Sequence, residues 1–150
     1  MFINKIPAKT KDDSFNVIIE IPMNDNPVKY EFDKEIGAIM VDRFMQAPMF
    51  YPCNYGFIPH TLSQDGDPAD VFVMSQYPII PGAIIKVRPV GVLIMEDESG
   101  IDEKILAVPV NKIDVTFESI KDIDDVPQIT KDRINHFFEN YKKLEKGKWV

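Results

Sequence analysis

Ala83-Ile84-Ile85-Lys86-Val87-Arg88-Pro89-Val90-Gly91-Val92-Leu93-Ile94-Met95 is the stretch on which the fold turns. Its β-branched content marks it as strand. It is too long to run flat, and Pro89 and Gly91 are the places where it can bend. A long, bent strand belongs to a twisted barrel or sheet. The neighbouring segments agree. Val17-Ile18-Ile19-Glu20-Ile21 is a β-branched run ended by Pro22, and Val71-Phe72-Val73-Met74 and Ile105-Leu106-Ala107-Val108 read as further strands. Lys29-Tyr30-Glu31-Phe32 alternates, so Lys29 and Glu31 share one face. Gly37 opens Ala38-Ile39-Met40-Val41, which leads into Asp42-Arg43. Twelve prolines in 150 residues favour a loop-rich β architecture over a helical bundle.

The period changes near the end of the chain. Asp124 or Asp125 is placed to cap a helix, with Pro127 near its first position. Ile129, Ile134, Phe137, Phe138, Tyr141 and Leu144 then fall on one apolar face, and Gly147 is the expected stop. The fold class read from the residues is mainly β (α+β), a barrel or sheet carrying at least one packed helix. The 150 residues form a single domain large enough for a real core.

Seventeen Lys and Arg against 24 Asp and Glu give a net charge of −7, which opposes nucleic-acid binding. One cysteine, Cys53, excludes an internal disulfide or a cysteine-based zinc site, and points to a reducing compartment. His60 and His136 are too few for a histidine-rich metal centre. Residues 1–13 lack the apolar core of a secretory signal. The uncharged run 44–64 is broken by Pro48, Pro52 and Pro59, so no membrane span is expected.

The chemistry concentrates in Asp65-Gly66-Asp67-Pro68-Ala69-Asp70. Three carboxylates this close repel unless a cation lies between them. Oxygen ligands without His or Cys suit magnesium, manganese or calcium. A calcium hand needs Gly at its sixth position and Glu at its twelfth, where Asp70 and Gln76 stand, so that reading fails. A solvated turn remains an alternative, because Asp, Gly and Pro dominate turns for local backbone reasons. Asp97 and Asp102 flank a second acidic turn. If that turn faces the first, five carboxylates converge on one pocket. Lys29, Arg43, Lys104 and Lys142, beside Tyr51, Tyr55 and Tyr141, add cations and phenols suited to a phosphate. No glycine-rich phosphate loop is present, so a nucleotide-fold cradle is excluded.

The segment 65–70 resembles the signature of the soluble family I inorganic pyrophosphatases of bacterial type. Its flanks follow in order: Ile19-Glu20-Ile21-Pro22, Lys29-Tyr30-Glu31, Asp42-Arg43-Phe44, Phe50-Tyr51-Pro52-Cys53-Asn54-Tyr55-Gly56, Arg88-Pro89-Val90-Gly91, Asp97 to Lys104, and Tyr141-Lys142 before Glu145-Lys146-Gly147-Lys148-Trp149. The resemblance runs from about Phe15 to the end. It implies a five-stranded OB-type β-barrel with peripheral helices, and magnesium-dependent hydrolysis of pyrophosphate to two phosphates, with manganese a substitute. By the same resemblance, Asp65, Asp70 and Asp102 hold the activating magnesium ions, and Asp97 holds one that arrives with substrate. Asp67 orients and deprotonates the attacking water. Lys29, Arg43, Tyr55, Lys104, Tyr141 and Lys142 bind pyrophosphate, and Glu20, Glu31 and Tyr51 line the same cavity. A cytoplasmic enzyme, and a homohexamer whose trimers meet near His136, are implied too. Family members continue past Val150 into another helix, so that helix is expected to be absent here. Two other function classes fit parts of the pattern: an OB-type module gripping nucleic acid, and an acidic protein that binds metal without turnover.

Overall fold

The computed structural model describes residues 3–10, 12, 14–61 and 68–150. Among the described residues seven strands form: β1 (Phe15–Ile21), β2 (Val28–Asp33), β3 (Ala38–Phe44), β4 (Asn54–Phe57), β5 (Asp70–Val73), β6 (Ile84–Asp97) and β7 (Gly100–Pro109). Five close a barrel in the order β1-β4-β5-β7-β6, while β2 and β3 make a separate hairpin. Closure removes the unpaired edges that an open sheet would expose. All barrel pairings are antiparallel except β5 with β7. The long strand bends where expected: its register against β7 shifts between Pro89 and Gly91.

Val17, Ile18 and Ile19 have no exposed surface, so β1 is buried on both faces. Val17 and Ile19 join Val71, Val73, Val87 and Ala107 in one cluster, whereas Ile18 meets Phe32 of the hairpin and Phe57. Gly56 on β4 lies so close to β1 that a Cβ there would stand 2.1 Å from the Ile18 carbonyl oxygen. Only glycine lets these two backbones approach to that distance. Asn54, also on β4, is fully buried and fully bonded. Its Oδ1 accepts from the backbone of Met23 and Ile79, both at 3.0 Å, and its Nδ2 donates to Val73 and Ser75. One side chain thereby ties the loop after β1 to the loop after β5.

The helix α1 (Gln128–Asn140) packs across the barrel, and its beginning differs from the sequence expectation. Pro127, not Asp124 or Asp125, holds the N-cap position. Those aspartates belong to a separate 3-10 turn over Ile123–Asp125, where the Asp125 carboxylate accepts from the Lys121 and Asp122 amides. Its hydrogen-bonding capacity is spent upstream. The apolar face is also narrower. Ile134, Phe137 and Phe138 are buried, but Ile129 and Leu144 are exposed, because the helix stops at Asn140 before Leu144 can continue the stripe. Gly147, with φ +79°, lies in a later turn and does not end the helix.

The helix joins the barrel through an aromatic cluster. Phe72 stacks on Phe138 at 4.8 Å between ring centroids, and Tyr51 meets Phe137 at 4.5 Å. Phe137 stacks on Tyr141 at 5.0 Å, and Tyr51 contacts Tyr55 at 5.5 Å. Rings of this kind carry both burial and preferred geometry. The three tyrosines are therefore fixed by the same packing that holds α1. No helix among the described residues is long and apolar enough to cross a membrane.

Candidate active site

Parallel pairing of β5 with β7 sets Asp70 opposite Lys104. Asp102, two residues before Lys104, shares its face by the strand period. The Lys104 ammonium, nearly buried, touches Asp70 Oδ2 at 2.6 Å and Asp102 Oδ2 at 2.8 Å, and donates to the Tyr55 hydroxyl at 2.9 Å. Burial pulls the Lys104 pKa down, yet Asp70 and Asp102 together lift it above the ordinary lysine value. Burial raises the Asp70 carboxyl, with Lys104 opposing that rise. Burial also lifts the hydroxyls of Tyr51 and Tyr55 well above the usual phenol, so both stay protonated donors at neutral pH.

A second group forms where the β6–β7 hairpin meets the chain after α1. Asp97 and Gly100 close the hairpin, and Gly100, with φ +116°, supplies the conformation its tight turn requires. Lys142 reaches Asp97 at 3.1 Å and Glu98 at 3.4 Å, and Lys148 adds a 3.2 Å pair to Glu98. The Glu98 carboxylate also accepts from the Trp149 amide. Tyr141 lies under the Lys142 ammonium, 5.6 Å from ring centroid to nitrogen. Burial raises the Tyr141 hydroxyl, opposed by Lys142 and Lys104, which places Tyr141 between the two groups.

The β2–β3 hairpin supplies the third. Lys29 stands directly opposite Arg43 in register, and a bulge follows at Tyr30. Asp42 lies 3.8 Å from Lys29 and 3.3 Å from Arg43, and Glu145 pairs with Arg43 at 3.0 Å. Burial lowers the Lys29 pKa, and the Arg43 charge lowers it further. Glu20 links the hairpin to β1: buried, it accepts from the Phe32 amide at 2.8 Å. Glu31 is exposed on β2.

Burial, reinforced by Asp70 and Glu31, pushes the Glu20 carboxyl from 4.5 up to about 7, against the pull of the Phe32 amide and Lys29. The sign of its effect on stability follows. Below about pH 4.5 both folded and unfolded chains hold this proton, so nothing is lost. Between 4.5 and 7 the folded chain keeps a proton that the unfolded chain has released, and stability falls as pH rises. Glu20→Gln, measured in chelator, is expected to match the parent below pH 4.5. It is expected to exceed it by about 3 kcal/mol above pH 7. Parallel urea titrations at pH 4 and pH 8 check both limits, and equal stability at pH 8 refutes the assignment.

Of the residues singled out in the sequence, Asp70, Asp102, Lys104 and Tyr55 meet in one cluster, with Tyr51 against Tyr55. Asp97, Tyr141 and Lys142 form the next, and Lys29 and Arg43 the third. Asp65 and Asp67 lie outside the described residues. The convergence of five carboxylates includes Asp65 and Asp67 and so falls partly outside the described residues; among the described residues no three acidic, histidine or cysteine side chains gather closely enough to hold a metal. Asp97 is drawn instead to Lys142. Asp70 and Asp102 do fit a hard cation: both are oxygen donors, and both reach a single ammonium nitrogen. Asp42, Glu98, Glu145 and Lys148 were not read as site residues. All four lie inside motif segments quoted from the sequence, but none was given a role of its own.

A family model described as Inorganic pyrophosphatase matches residues 17–150. The inorganic pyrophosphatase of Rickettsia bellii is 69% identical over 150 residues, spanning 100% of this chain and 86% of that protein. The crystal structure of an inorganic phosphatase from Anaplasma phagocytophilum superposes with a TM-score of 0.93 at 51% identity, over 97% of this chain and 85% of that one. The inorganic pyrophosphatase of Thermus thermophilus gives 0.92 at 45% identity, over 99% and 86%. With β5 and β7 presenting Asp70, Asp102 and Lys104 together, and the match spanning the barrel and the helix alike, the chain belongs to the inorganic pyrophosphatase family.

Proposed function

We propose that this chain hydrolyses inorganic pyrophosphate to two orthophosphates by magnesium-dependent attack of water. Family membership already makes it a hydrolase acting on pyrophosphate. The family is metal-dependent, and the identity of the ion is the finer step. The observation that carries the reading is the pair of carboxylates on Lys104, flanked by two further sets of cations. Such a surface is built for an anion with several charges, together with hard cations.

In this reading Asp70 and Asp102, with Asp65, hold the resident ions, Asp97 holds one that enters with substrate, and manganese can substitute. When bound, magnesium neutralises phosphoryl oxygens and acidifies a water molecule. The chain's own groups do the rest. Lys29, Arg43 and Tyr55 bind one phosphate, and Lys104, Lys142 and Tyr141 bind the other. Asp67 takes the proton of the attacking water. Glu20, Glu31 and Tyr51 shape the wall behind them. Phosphoryl transfer needs mostly positioning and charge stabilisation, and side chains fixed by β-pairing and aromatic packing supply that without reorganisation.

A cytoplasmic location and a homo-oligomer, a hexamer by resemblance, belong to the same proposal. So does the absence of nucleic-acid or membrane partners, which the −7 charge favours on the nucleic-acid side. A cavity of about 980 Å³ lined by Met49, Phe50, Phe117, Ile129 and His136 supports assembly on the α1 side. The testing experiment is phosphate release from pyrophosphate with magnesium, with chelator, and with calcium in place of magnesium. Rapid release in magnesium alone is expected. Metal binding by a folded chain without any release refutes the hydrolase.

A further inference from the structure

Lys29 and Arg43 face each other across the β2–β3 pair, an arrangement of like charges that destabilises a hairpin unless an anion lies near. Asp42 serves only in part, at 3.3 Å from Arg43 and 3.8 Å from Lys29. The closer partner comes from 102 residues away. Arg43 Nη2 stands 3.0 Å from Glu145 Oε1 and 3.3 Å from Oε2. The Glu145 carboxylate is 15% exposed, and its charge is also felt at Lys29. Glu145 sits in the turn that follows Tyr141 and Lys142, with its amide bonded to the Lys142 carbonyl at 2.9 Å. The Arg43 guanidinium is incompletely satisfied in this position, because its Nε is buried and has no hydrogen-bond partner among the described residues. A buried donor left unmet costs free energy, so this pose is a resting place and not the best that Arg43 can find.

We propose that Glu145 is a positioning residue that stands in for a phosphate group in the free enzyme, parking Arg43 beside Lys29 until the substrate displaces it. The inference rests on Lys29 and Arg43 being phosphate ligands. When pyrophosphate enters, Arg43 exchanges one anion for another and its Nε gains an acceptor. When orthophosphate leaves, Glu145 retakes the guanidinium. The carboxylate thus competes with bound product and speeds its departure, at the expense of affinity. Because the same turn carries Lys142, the exchange on Arg43 is mechanically joined to the second phosphate's ligands.

The test is Glu145→Gln in the full chain, read by calorimetric titration with magnesium imidodiphosphate and with magnesium orthophosphate. Both are expected to bind about 5-fold more tightly, the value of one partly exposed ion pair. KM and kcat are expected to fall together as product release slows. Glu145→Asp keeps the competing charge and stays near the parent. In an Arg43→Ala background the Glu145 substitution is expected to tighten binding much less than 5-fold, leaving only its smaller effect through Lys29. A merely structural strap predicts weaker binding and a raised KM, whatever stands at residue 43, and either result overturns the proposal. Should Glu145→Gln fail to fold, the parent itself decides: the Arg43 Nε–H resonance is expected to move on phosphate saturation, and a stationary resonance in a protein that binds phosphate refutes the exchange. A parent that releases no phosphate from pyrophosphate, yet shows these binding effects, sinks the hydrolase reading and leaves this one standing.

Discussion

Lys104→Met yields a chain whose stability depends on divalent metal. The Lys104 ammonium, 8% exposed, lies between two carboxylates that it touches at 2.6 and 2.8 Å. Removing it leaves two largely buried acids facing one another, a loss of about 3–5 kcal/mol for a buried pair deprived of one partner. The barrel has no compensating cation on that face within β5 or β7. In chelator the variant's Tm is expected to drop by many degrees, and part of the loss to be relieved at low pH, where Asp70, whose carboxyl burial already raises, takes up a proton. Adding magnesium is expected to restore much of it, because an ion that binds only the folded state stabilises by mass action, and the vacated ammonium no longer repels it. Turnover is a separate matter. Even with metal saturating, the lost cation and its hold on the Tyr55 hydroxyl are expected to lower kcat/KM about 10²–10³-fold. A differential scan in chelator and in magnesium checks the first effect, and phosphate release the second. A metal-indifferent Tm refutes the shared-site reading.

The same cluster illustrates what could be read from residues alone. The bend at Pro89 and Gly91 was implied by strand length, whereas Asp102 was read at the edge of an acidic turn and lies within β7, which begins at Gly100 and sets it on one face with Lys104. The aromatic stripe of α1 was visible because Ile134, Phe137 and Phe138 repeat at helical spacing. Local pattern ends there. The exchange between Arg43 and Glu145 spans 102 residues, and no periodicity encodes it. Asn54 gave no sign of its four hydrogen bonds, since a buried amide is recognised only by partners drawn from other loops. The N-terminus of α1 was misplaced because two aspartates before Pro127 satisfied a cap rule, while a 3-10 turn claimed Asp125 first. Phe44 would pass for core by composition, yet it is 71% exposed at the end of β3, whereas Phe32 on the other strand of the hairpin is buried against Ile18 and Phe57. Charged residues were assigned through the order of motifs, not through geometry, which is why Glu98 and Glu145, inside quoted motifs but without a role of their own, escaped.

Asp67→Asn is expected to fold normally and to lose about 10²–10⁴-fold in kcat, the range of a single general base. Asparagine has nearly the same shape and volume as aspartate, so the substitution adds no steric demand of its own. What it lacks is a lone pair basic enough to accept the water's proton. In the proposed reading Lys29, Arg43 and Lys142 still hold the substrate, so KM is expected to change little. In the same reading Asp65, Asp70 and Asp102 still hold the metals, so magnesium affinity is expected to hold as well. That pattern separates a base from a ligand: a ligand's loss weakens metal binding and can be offset by more magnesium, whereas a base's loss cannot. The pH profile sharpens the distinction. With the internal base gone, the residual rate is expected to climb with pH as solvent hydroxide takes over. Rates measured from pH 5 to 10 at saturating magnesium, beside a titration of metal affinity, give both readouts. Full activity would remove Asp67 from the chemistry. A loss recovered by excess magnesium would move it among the ligands, and the proton would then have to pass to solvent directly.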